Sequence, residues 1–330
     1  MRIVMMGTGT FAEPTFRELL GARENVVGLV TQPDRGGSNT RGSTRQTGEG
    51  MANIATAAGV PVIRPESINT PEGVAALAAF QPDLLVVAAY GQILKPEVIA
   101  VPTMAAINVH ASLLPKYRGA SPIAHAILNG ETVSGVTIIR ISLGLDAGDM
   151  LAQESLDILP NETTGELEAR LAPLGARLCL DVIQKMKAGT VEGAKQDVAL
   201  VTKAPKLKKE AGMIDWSQPA ETIANHVRAM QPWPTAYTFF HRPGKPPLRV
   251  IVNRIESIAY SPTIVPGPTM GSIGSDSSDG SLGVECGMAP GRSTILIAEL
   301  QPAGGKRMTA AEFLRGYPLV EGARFGPEAL

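Results

Sequence analysis

Cysteine is scarce in this chain of 330 residues, and so are aromatic side chains and long apolar runs. The two cysteines, Cys179 and Cys286, are far apart and lack the spacing of zinc ligands, so we expect neither a metal centre nor a disulfide framework. No run approaches the roughly 18 apolar residues that a membrane span requires. The opening residues, MRIVMMGTGTF, lack the basic leader and cleavage site of a secretory signal. These absences predict a soluble, reduced, cytoplasmic protein that holds no metal.

Charge of either sign is also modest, since charged residues make up 18% of the chain and the formal net charge is −1. Residues 203–254 are the exception, with nine Lys and Arg against three Asp and Glu. Such a surplus of six positive charges is typical of a surface that binds a polyanion, although ordinary solvated charge gives the same count. The length allows two domains, because single domains usually span about 100 to 200 residues.

Short apolar runs alternate with amphipathic stretches in the first half of the chain. The strand-like runs are RIVMMG, NVVGLVTQ, DLLVVAA, AAINVH and VTIIRIS, and the helical stretches are FAEPTFRELL, TPEGVAALAAF and SPIAHAILNG. This alternation predicts an α/β domain over residues 1–191, with a doubly wound, mostly parallel sheet and helices on both faces.

The pattern changes after residue 191. Residues 192–211 have no sustained periodicity and are predicted to be a linker. Residues 212–330 start with a helix near Ser217 and continue as short strands between Gly, Pro and Ser turns, which predicts a small β-barrel domain. Within that domain, the polar and Gly-rich residues 261–281 are predicted to be a flexible loop.

One predicted strand carries two polar residues on the same face. In INVHASLLPKYRGASP, residues 107–122, Asn108 and His110 are two apart, so both side chains point away from Val109. An unpartnered amide or imidazole in a core would cost about 1 to 3 kcal/mol. We therefore expect the two side chains either to be hydrogen-bonded or to face a cleft.

A second candidate is the loop LGLDAGDM, residues 143–150, which follows the strand VTIIRIS. Gly144 and Gly148 permit unusual backbone angles around Asp146, which suits a tight loop that displays one carboxylate. The alternative is an Asx-turn, in which Asp146 or Asp149 caps its own backbone. We expect this loop and the loop after INVH to lie at the carboxyl ends of their strands, where open α/β sheets bind ligands.

The first strand is followed by GTGTFA, residues 7–12. This stretch lacks the third glycine of a dinucleotide fingerprint, and no acidic residue ends the second strand. A tight turn or an anion-facing loop is therefore favoured over an NAD site.

An amide, an imidazole and a carboxylate in one crevice suit chemistry at a carbonyl carbon. Asn can donate to an oxygen that becomes negative, His can move a proton, and Asp can hold the imidazolium or receive a proton. Neither cysteine is near this crevice, and Ser112 and Ser121 lie outside any nucleophile-elbow motif. The pattern favours direct acyl transfer between two bound substrates over a covalent enzyme intermediate.

These residues resemble the formyltransferases that use 10-formyltetrahydrofolate, through Asn108, His110, the SLLPKYRG loop and the LDAGD loop. Further matches at TQPDR, AAYGQIL, IDWS, QPWP and LQPAGGKRM make the chain similar, over nearly its whole length, to the methionyl-tRNA formyltransferase family. The resemblance implies a Rossmann-like formyl-transfer domain and an OB-like barrel that helps to hold tRNA.

The activity that the resemblance implies is transfer of the formyl group of 10-formyltetrahydrofolate, the donor substrate, to the α-amino group of methionyl initiator tRNA in translation initiation. The implied protein is a monomer that needs no metal. The catalytic residues would be Asn108, His110 and Asp146. Folate contacts would come from Ser112, Leu113, Leu114, Pro115, Gly91, Gln92, Ile93 and Leu94.

The tRNA contacts would come from Arg35, Arg41, Arg45, Lys206, Lys208 and Lys209. After TQPDR the family typically has a basic insertion with lysines, whereas this chain reads RGGSNTRGSTRQTGEG. Similarly, KLKKE stands here where KLSKE is common in the family.

Two other functions fit part of this pattern. A formyltransferase for an amino-sugar nucleotide or a ribonucleotide would share the same three catalytic residues, but the barrel and the basic segment argue against a small acceptor. A nucleic-acid-binding module whose α/β domain has lost catalysis would explain the basic segment, but the intact Asn108, His110 and Asp146 argue against it.

Overall fold

The computed structural model of the chain describes residues 1–33, 50–260, 270–276, 281–287 and 293–329. They form two compact units. Unit 1 comprises Met1–Ala126, Thr132–Pro160 and Gly165–Lys206, and unit 2 comprises Ile127–Glu131, Asn161–Thr164 and Leu207–Leu330. None of the described helices is long and apolar enough to span a bilayer.

Unit 1 is built on a seven-stranded sheet of order β3-β2-β1-β4-β5-β6-β7. Its strands are β1 (Ile3–Gly7), β2 (Val26–Val30), β3 (Val62–Ile63), β4 (Leu84–Ala88), β5 (Ala105–His110), β6 (Val133–Arg140) and β7 (Met150–Asp157). The first five strands pair in parallel, whereas β6 pairs antiparallel with both β5 and β7. The predicted doubly wound, mostly parallel sheet is confirmed.

The helices that follow these strands are α1 (Ala12–Gly21), α2 (Met51–Ala57), α3 (Pro71–Ala78), α4 (Pro96–Ile99), α5 (Pro122–Leu128) and α6 (Thr164–Lys187). Local sequence explains where α3 begins, because the Thr70 side chain accepts from the N–H of Gly73 and Pro71 occupies the first turn. On one face of the sheet, Leu77 of α3 and Val98 of α4 join a core with residues from β1, β2, β4 and β5.

Unit 2 contains α7 (Ala220–Ala229), α8 (Ala310–Gly316) and an antiparallel sheet of order β10-β11-β12-β9-β8-β14, with β13 paired to β12. The strands are β8 (Tyr237–His241), β9 (Leu248–Tyr260), β10 (Ile273–Asp276), β11 (Ser281–Cys286), β12 (Ser293–Pro302), β13 (Met308–Thr309) and β14 (Arg324–Gly326). A bridge between Ser272 and Arg324 links the two ends of the sheet, so the barrel is nearly closed. The predicted β-barrel is confirmed.

The stretch 261–281 is not loop throughout, which corrects the prediction for its second half. Ile273–Asp276 form β10, which pairs antiparallel with β11. Pairing with a neighbouring strand overrides the polar, Gly-rich composition on which the prediction rested. Residues 261–269 and 277–280 lie outside the described part of the chain.

Candidate active site

Strand β5 sets the positions of Asn108 and His110. It lies between β4 and β6, so it is an interior strand. Val109 points to the α6 face, where its Cγ1 lies 2.8 Å from the place that a Cβ on Gly175 would occupy. Ala106, two residues before Asn108, belongs to the core on the opposite face. Asn108 and His110 therefore lie on the same face as Ala106, nearer the carboxyl end of the strand, as the alternation of side chains predicts.

Loop 141–149 reaches this face from an unexpected direction. Because β6 is antiparallel to β5 and pairs Arg140 with Ile107, its carboxyl end lies near the amino end of β5. The loop follows the carboxyl end of its strand, as expected, but that end does not lie at the same edge of the sheet as the carboxyl end of β5. The loop instead folds back along β5 and brings Asp146 to Asn108 and His110. Strand direction depends on long-range pairing, which an apolar run does not encode.

The imidazole of His110 is buried and hydrogen-bonded at one ring nitrogen. Nε2 lies 3.0 Å from the carbonyl oxygen of Tyr117. A carbonyl only accepts, so Nε2 carries the hydrogen and the neutral ring has its lone pair on Nδ1. Burial lowers the pKa of His110, and the Asp146 carboxylate and the Tyr117 carbonyl oppose that shift. The ring is therefore neutral at neutral pH, and Nδ1 is the nitrogen able to take up a proton.

Asp146 lies where it acts on both β5 side chains. Its Oδ2 lies 3.7 Å from Nδ1 of His110 and accepts from the backbone N–H of Gly119 at 2.9 Å. Its Oδ1 accepts from Nδ2 of Asn108 at 3.4 Å. The carboxylate thus bonds outside its own loop, unlike in an Asx-turn, and Asp149 pairs with Lys195 at 2.8 Å. The three predicted catalytic residues are brought together.

The stretch Ser112–Leu113–Leu114–Pro115 forms a fixed loop beside the three residues. The Ser112 hydroxyl donates to the carbonyl of Lys116 at 2.7 Å, and the Ser112 and Leu114 side chains are buried. Leu113 and Pro115 are half-buried. If this stretch contacts folate, Leu113 and Pro115 have the side-chain surface with which to do so.

Thr137 of β6 holds this loop in place and was missed by the sequence analysis. Its hydroxyl donates to the Ser112 carbonyl at 2.6 Å and accepts from the Leu114 N–H at 3.1 Å and from Nε2 of Gln153 at 2.8 Å. Thr137 is fully buried. A hydroxyl inside the apolar run VTIIRIS was the sequence feature that pointed to it, because buried polar groups are normally hydrogen-bonded.

Residues 91–94 form a second loop, after β4. The Gln92 side chain accepts from the N–H of Ile68 at 3.0 Å and donates to the Glu66 carbonyl at 3.1 Å, so it joins two loops. Gly91 has a φ of +84°, which favours glycine. Ile93 is 75% exposed and Leu94 is half-buried, so these two present apolar surface to solvent.

This second loop lies where the strand order reverses, because β2 lies on one side of β1 and β4 on the other. Open α/β sheets bind ligands outside the carboxyl ends of strands at such a point. The loop after β1 is a tight turn, with a φ of +77° at Gly9. Thr10 in that turn donates to Glu168 at 2.5 Å, and burial raises the pKa of Glu168. A carboxyl group bonded to this turn would not attract an anion, so the tight turn is favoured over the anion-facing loop.

The predicted tRNA contacts are only partly described. Lys206, Lys208 and Lys209 are exposed. Arg35, Arg41 and Arg45 lie outside the described residues. Within the described ranges, no group of three or more His, Cys, Asp or Glu side chains is arranged to hold a metal ion.

The segment predicted as a linker belongs to unit 1 as far as Lys206, and residues 194–204 are hydrogen-bonded within that unit. Ala194 exchanges two backbone hydrogen bonds with Met150, Thr202 accepts from the N–H of Arg118, and Ala204 donates to the Arg118 carbonyl. Gln196 of this segment bonds to the Asp146 loop. Gln196 and Gly119 were missed as site residues, and Gln196 lies in a segment without motif or periodicity.

Two family profiles match the chain. The profile described as formyl transferase matches residues 1–183, and the profile described as formyl transferase, C-terminal domain, matches residues 206–318. The chain is 42% identical over 327 residues to the methionyl-tRNA formyltransferase of Citrifermentans bemidjiense, covering 99% of this chain and 96% of the relative. It is 41% identical over 321 residues to that of Chloroflexus aggregans, covering 97% and 99% of the two chains.

Solved structures share the fold at low sequence identity. An N-formyltransferase from Helicobacter canadensis, in complex with folinic acid and dTDP-3-aminofucose, aligns with a TM-score of 0.61 at 17% identity, over 89% of this chain and 98% of that one. HypX from Aquifex aeolicus, in complex with tetrahydrofolic acid, aligns with a TM-score of 0.59 at 18% identity, over 95% of this chain and 47% of that one.

Proposed function

This chain belongs to the methionyl-tRNA formyltransferase family, and on that premise we propose that it transfers the formyl group of 10-formyltetrahydrofolate to the α-amino group of methionyl initiator tRNA. The product is N-formylmethionyl-tRNA, which serves translation initiation. The observation that carries the proposal is the contact of Asp146 with both Asn108 and His110 on one face of β5, in a chain about 40% identical to its relatives over nearly its whole length.

Asn108 and His110 act where charge develops. The neutral amine of the acceptor attacks the formyl carbon, and its carbonyl oxygen becomes negative as the new C–N bond forms. Nδ2 of Asn108 donates to that oxygen and is held toward the site by the Asp146 carboxylate. The donor is fixed before reaction, so little reorganisation is needed when the charge appears.

Proton movement falls to Nδ1 of His110. Since Nε2 is bonded to Tyr117, Nδ1 takes the proton that the amine loses, and the imidazolium faces the Asp146 carboxylate at 3.7 Å. When the old bond from the formyl carbon to the folate nitrogen breaks, that proton passes to the departing nitrogen. The protonation state of His110 is therefore the same before and after one turnover.

The folate donor is proposed to bind along the loops at residues 91–94 and 112–115, through the apolar surface of Ile93, Leu94, Leu113 and Pro115. Initiator tRNA is proposed to contact the exposed Lys206, Lys208 and Lys209, together with Arg35, Arg41 and Arg45.

The test is turnover of the purified chain with 10-formyltetrahydrofolate and three acceptors in parallel. These are methionyl initiator tRNA, the same tRNA without methionine, and a dTDP-linked amino sugar. We expect formylmethionine on the charged tRNA and no reaction with the other two. Turnover with the amino sugar alone would replace the proposed acceptor, and tRNA binding without any turnover would favour a binding module that has lost catalysis.

A further inference from the structure

The side chain of Gln196 connects the Asp146 loop to an arginine. Its Nε2 donates to the carbonyl oxygens of Asp146 and Gly148, both at 2.8 Å. Its Oε1 accepts from Nε and Nη2 of Arg118, at 3.0 and 2.7 Å. Both Gln196 and Arg118 are half-buried, so these bonds are partly shielded from water.

The partners of the Gln196 amide allow it only one orientation. Backbone carbonyls only accept hydrogen bonds, and a guanidinium only donates them. Turning the amide by 180° would place its oxygen against two carbonyls and its NH₂ group against Arg118, and all four hydrogen bonds would be lost. The pair therefore acts as a polar clamp with a defined direction.

The Asp146 loop depends on such a clamp. Asp146 has a φ of +47°, in the left-handed region that few residues adopt. Gly148 packs so closely that a Cβ there would lie 1.6 Å from the Arg140 carbonyl oxygen. Leu143 and Leu145 are 78% and 58% exposed, so apolar burial of these two residues contributes little to the loop's position. Ile141 packs against the core at the start of the loop, and the backbone of Arg140 bonds to Asp149 at its end. The tip around Asp146 therefore depends on polar contacts from outside the loop.

We propose that Gln196, oriented by Arg118, is a positioning residue for formyl transfer, because it fixes the loop that presents the Asp146 carboxylate to Asn108 and His110. The inference rests on the proposed function and on the role of Asp146 in it. Gln196 acts through Asp146, and Arg118 acts through Gln196. A displacement of about 1 Å in a reacting geometry can cost roughly 100-fold in rate, so a small shift of this loop is enough to matter.

Gln196→Met tests this, because methionine has nearly the same length but makes none of the four hydrogen bonds. We expect kcat at saturating substrates to fall about 10- to 100-fold, with the KM for 10-formyltetrahydrofolate changed less than about twofold. Gln196→Glu should lose a similar amount, since it keeps an acceptor for Arg118 but cannot donate to the two carbonyls. Asp197→Ala is the control, because the Asp197 carboxylate caps the N–H of Ala199 and should leave kcat unchanged.

The pH profile of kcat separates positioning from general stability. Among the described charged groups, Asp146 is the one that acts on His110, and it favours a protonated ring. A displaced carboxylate favours that proton less, so the acidic limb of the profile should move to lower pH in Gln196→Met. If Gln196 only stabilises the fold, Gln196→Met should lower the melting temperature and leave the acidic limb at the wild-type pH. That result would overturn the proposal.

Arg118→Ala and the double variant test the second half of the clamp. If Arg118 acts through Gln196, the kcat of the double variant should lie within about twofold of Gln196→Met. If the losses in kcat of the two single variants multiply in the double variant, the role assigned to Arg118 is overturned.

Wild-type kcat and pH profile in Gln196→Met, with Asp146→Asn inactive, would overturn this inference and leave the proposed function standing. A wild-type chain that forms no formylmethionyl-tRNA would overturn both.

Discussion

Nδ1 of His110 lies 3.7 Å from Oδ2 of Asp146, although the two residues are 36 positions apart. The loop that carries Asp146 leaves β6 near the amino end of β5, whereas His110 is the last residue of β5. The distance suits an ion pair once the ring is protonated. Before protonation, the lone pair on Nδ1 faces a carboxylate. This arrangement makes proton uptake by His110 sensitive to the placement of Asp146, and several variants should reveal that sensitivity.

Asn108→Ala should fold normally and lose about 3 kcal/mol of transition-state stabilisation, or roughly 100-fold or more in kcat. In the proposed mechanism the amide donates where the oxyanion forms, whereas the proposed folate contacts lie in other loops, so the KM for 10-formyltetrahydrofolate should change much less. Steady-state kinetics with methionyl-tRNA measure both quantities. Asn25→Ala, at an exposed position in unit 1, is the matched control. Near-normal kcat in folded Asn108→Ala would remove Asn108 from the oxyanion role.

Asp146→Asn should lower kcat by about 100-fold or more without unfolding the protein. Asparagine tolerates the left-handed backbone at this position nearly as well as aspartate, so the loop should keep its shape while the charge that favours protonated His110 is lost. Asp149→Asn in the same loop removes only a contact with the exposed Lys195 and should stay within a few-fold of wild type. Activity of Asp146→Asn as high as that of Asp149→Asn would mean that Asp146 only forms the turn.

The free energy of unfolding should fall as the pH drops below about 6.5, in part because of two histidines. Burial lowers the pKa of His110 and of His226 in the folded protein, whereas the unfolded chain has the ordinary value of about 6.5. Below that value the unfolded state binds more protons than the folded state. Stability is therefore lost until the pH passes the lowered pKa of the folded protein.

Urea unfolding at about pH 7 and about pH 5.5 measures this loss. His110→Gln and His226→Gln should each lose less stability over the interval than wild type. Glu168, whose pKa is raised by burial, contributes with the opposite sign but is present in all three proteins, so it cancels in the comparison. The same loss in all three proteins would contradict the assignment to these histidines.

Affinity for methionyl-tRNA should fall steeply with salt, because each phosphate contact releases condensed counterions. Replacing Lys206, Lys208 and Lys209 with Ala should weaken binding and reduce the magnitude of the salt slope by roughly 2 to 3, with kcat at saturating tRNA barely changed. Folate binding should respond far less to salt. Salt titrations of tRNA binding and of folate binding, with kcat at saturating tRNA, check these expectations.

The arginine variant, with Arg35, Arg41 and Arg45 replaced by Ala, should show a moderate loss in the same titration, consistent with contacts at the acceptor end of the tRNA. Unchanged affinity and slope in both triple variants would contradict this placement of the tRNA and favour a small acceptor.

Much of the fold was predictable because local patterns and tertiary structure agree there. The runs at β1, β2 and β4 are short and apolar, as strands covered on both faces must be, and they were predicted together with β5, whose apolar lead-in ends in the polar pair. Strand β7 was missed because MLAQESLD is largely exposed, so its composition resembles a loop. The antiparallel direction of β6 was missed because an apolar run has no direction until it pairs.

The sequence by itself determined which residue types meet at the candidate site. Period-two alternation along β5 required Asn108 and His110 to share a face, and the glycines at 144 and 148 allowed a tight loop around Asp146. Only the tertiary structure decided that this loop folds back along β5, and that Thr137, Gly119 and Gln196 hold the site from other elements. Hydrogen bonds between residues 16 to 85 positions apart form where chain segments pack in space, and local periodicity carries no information about them.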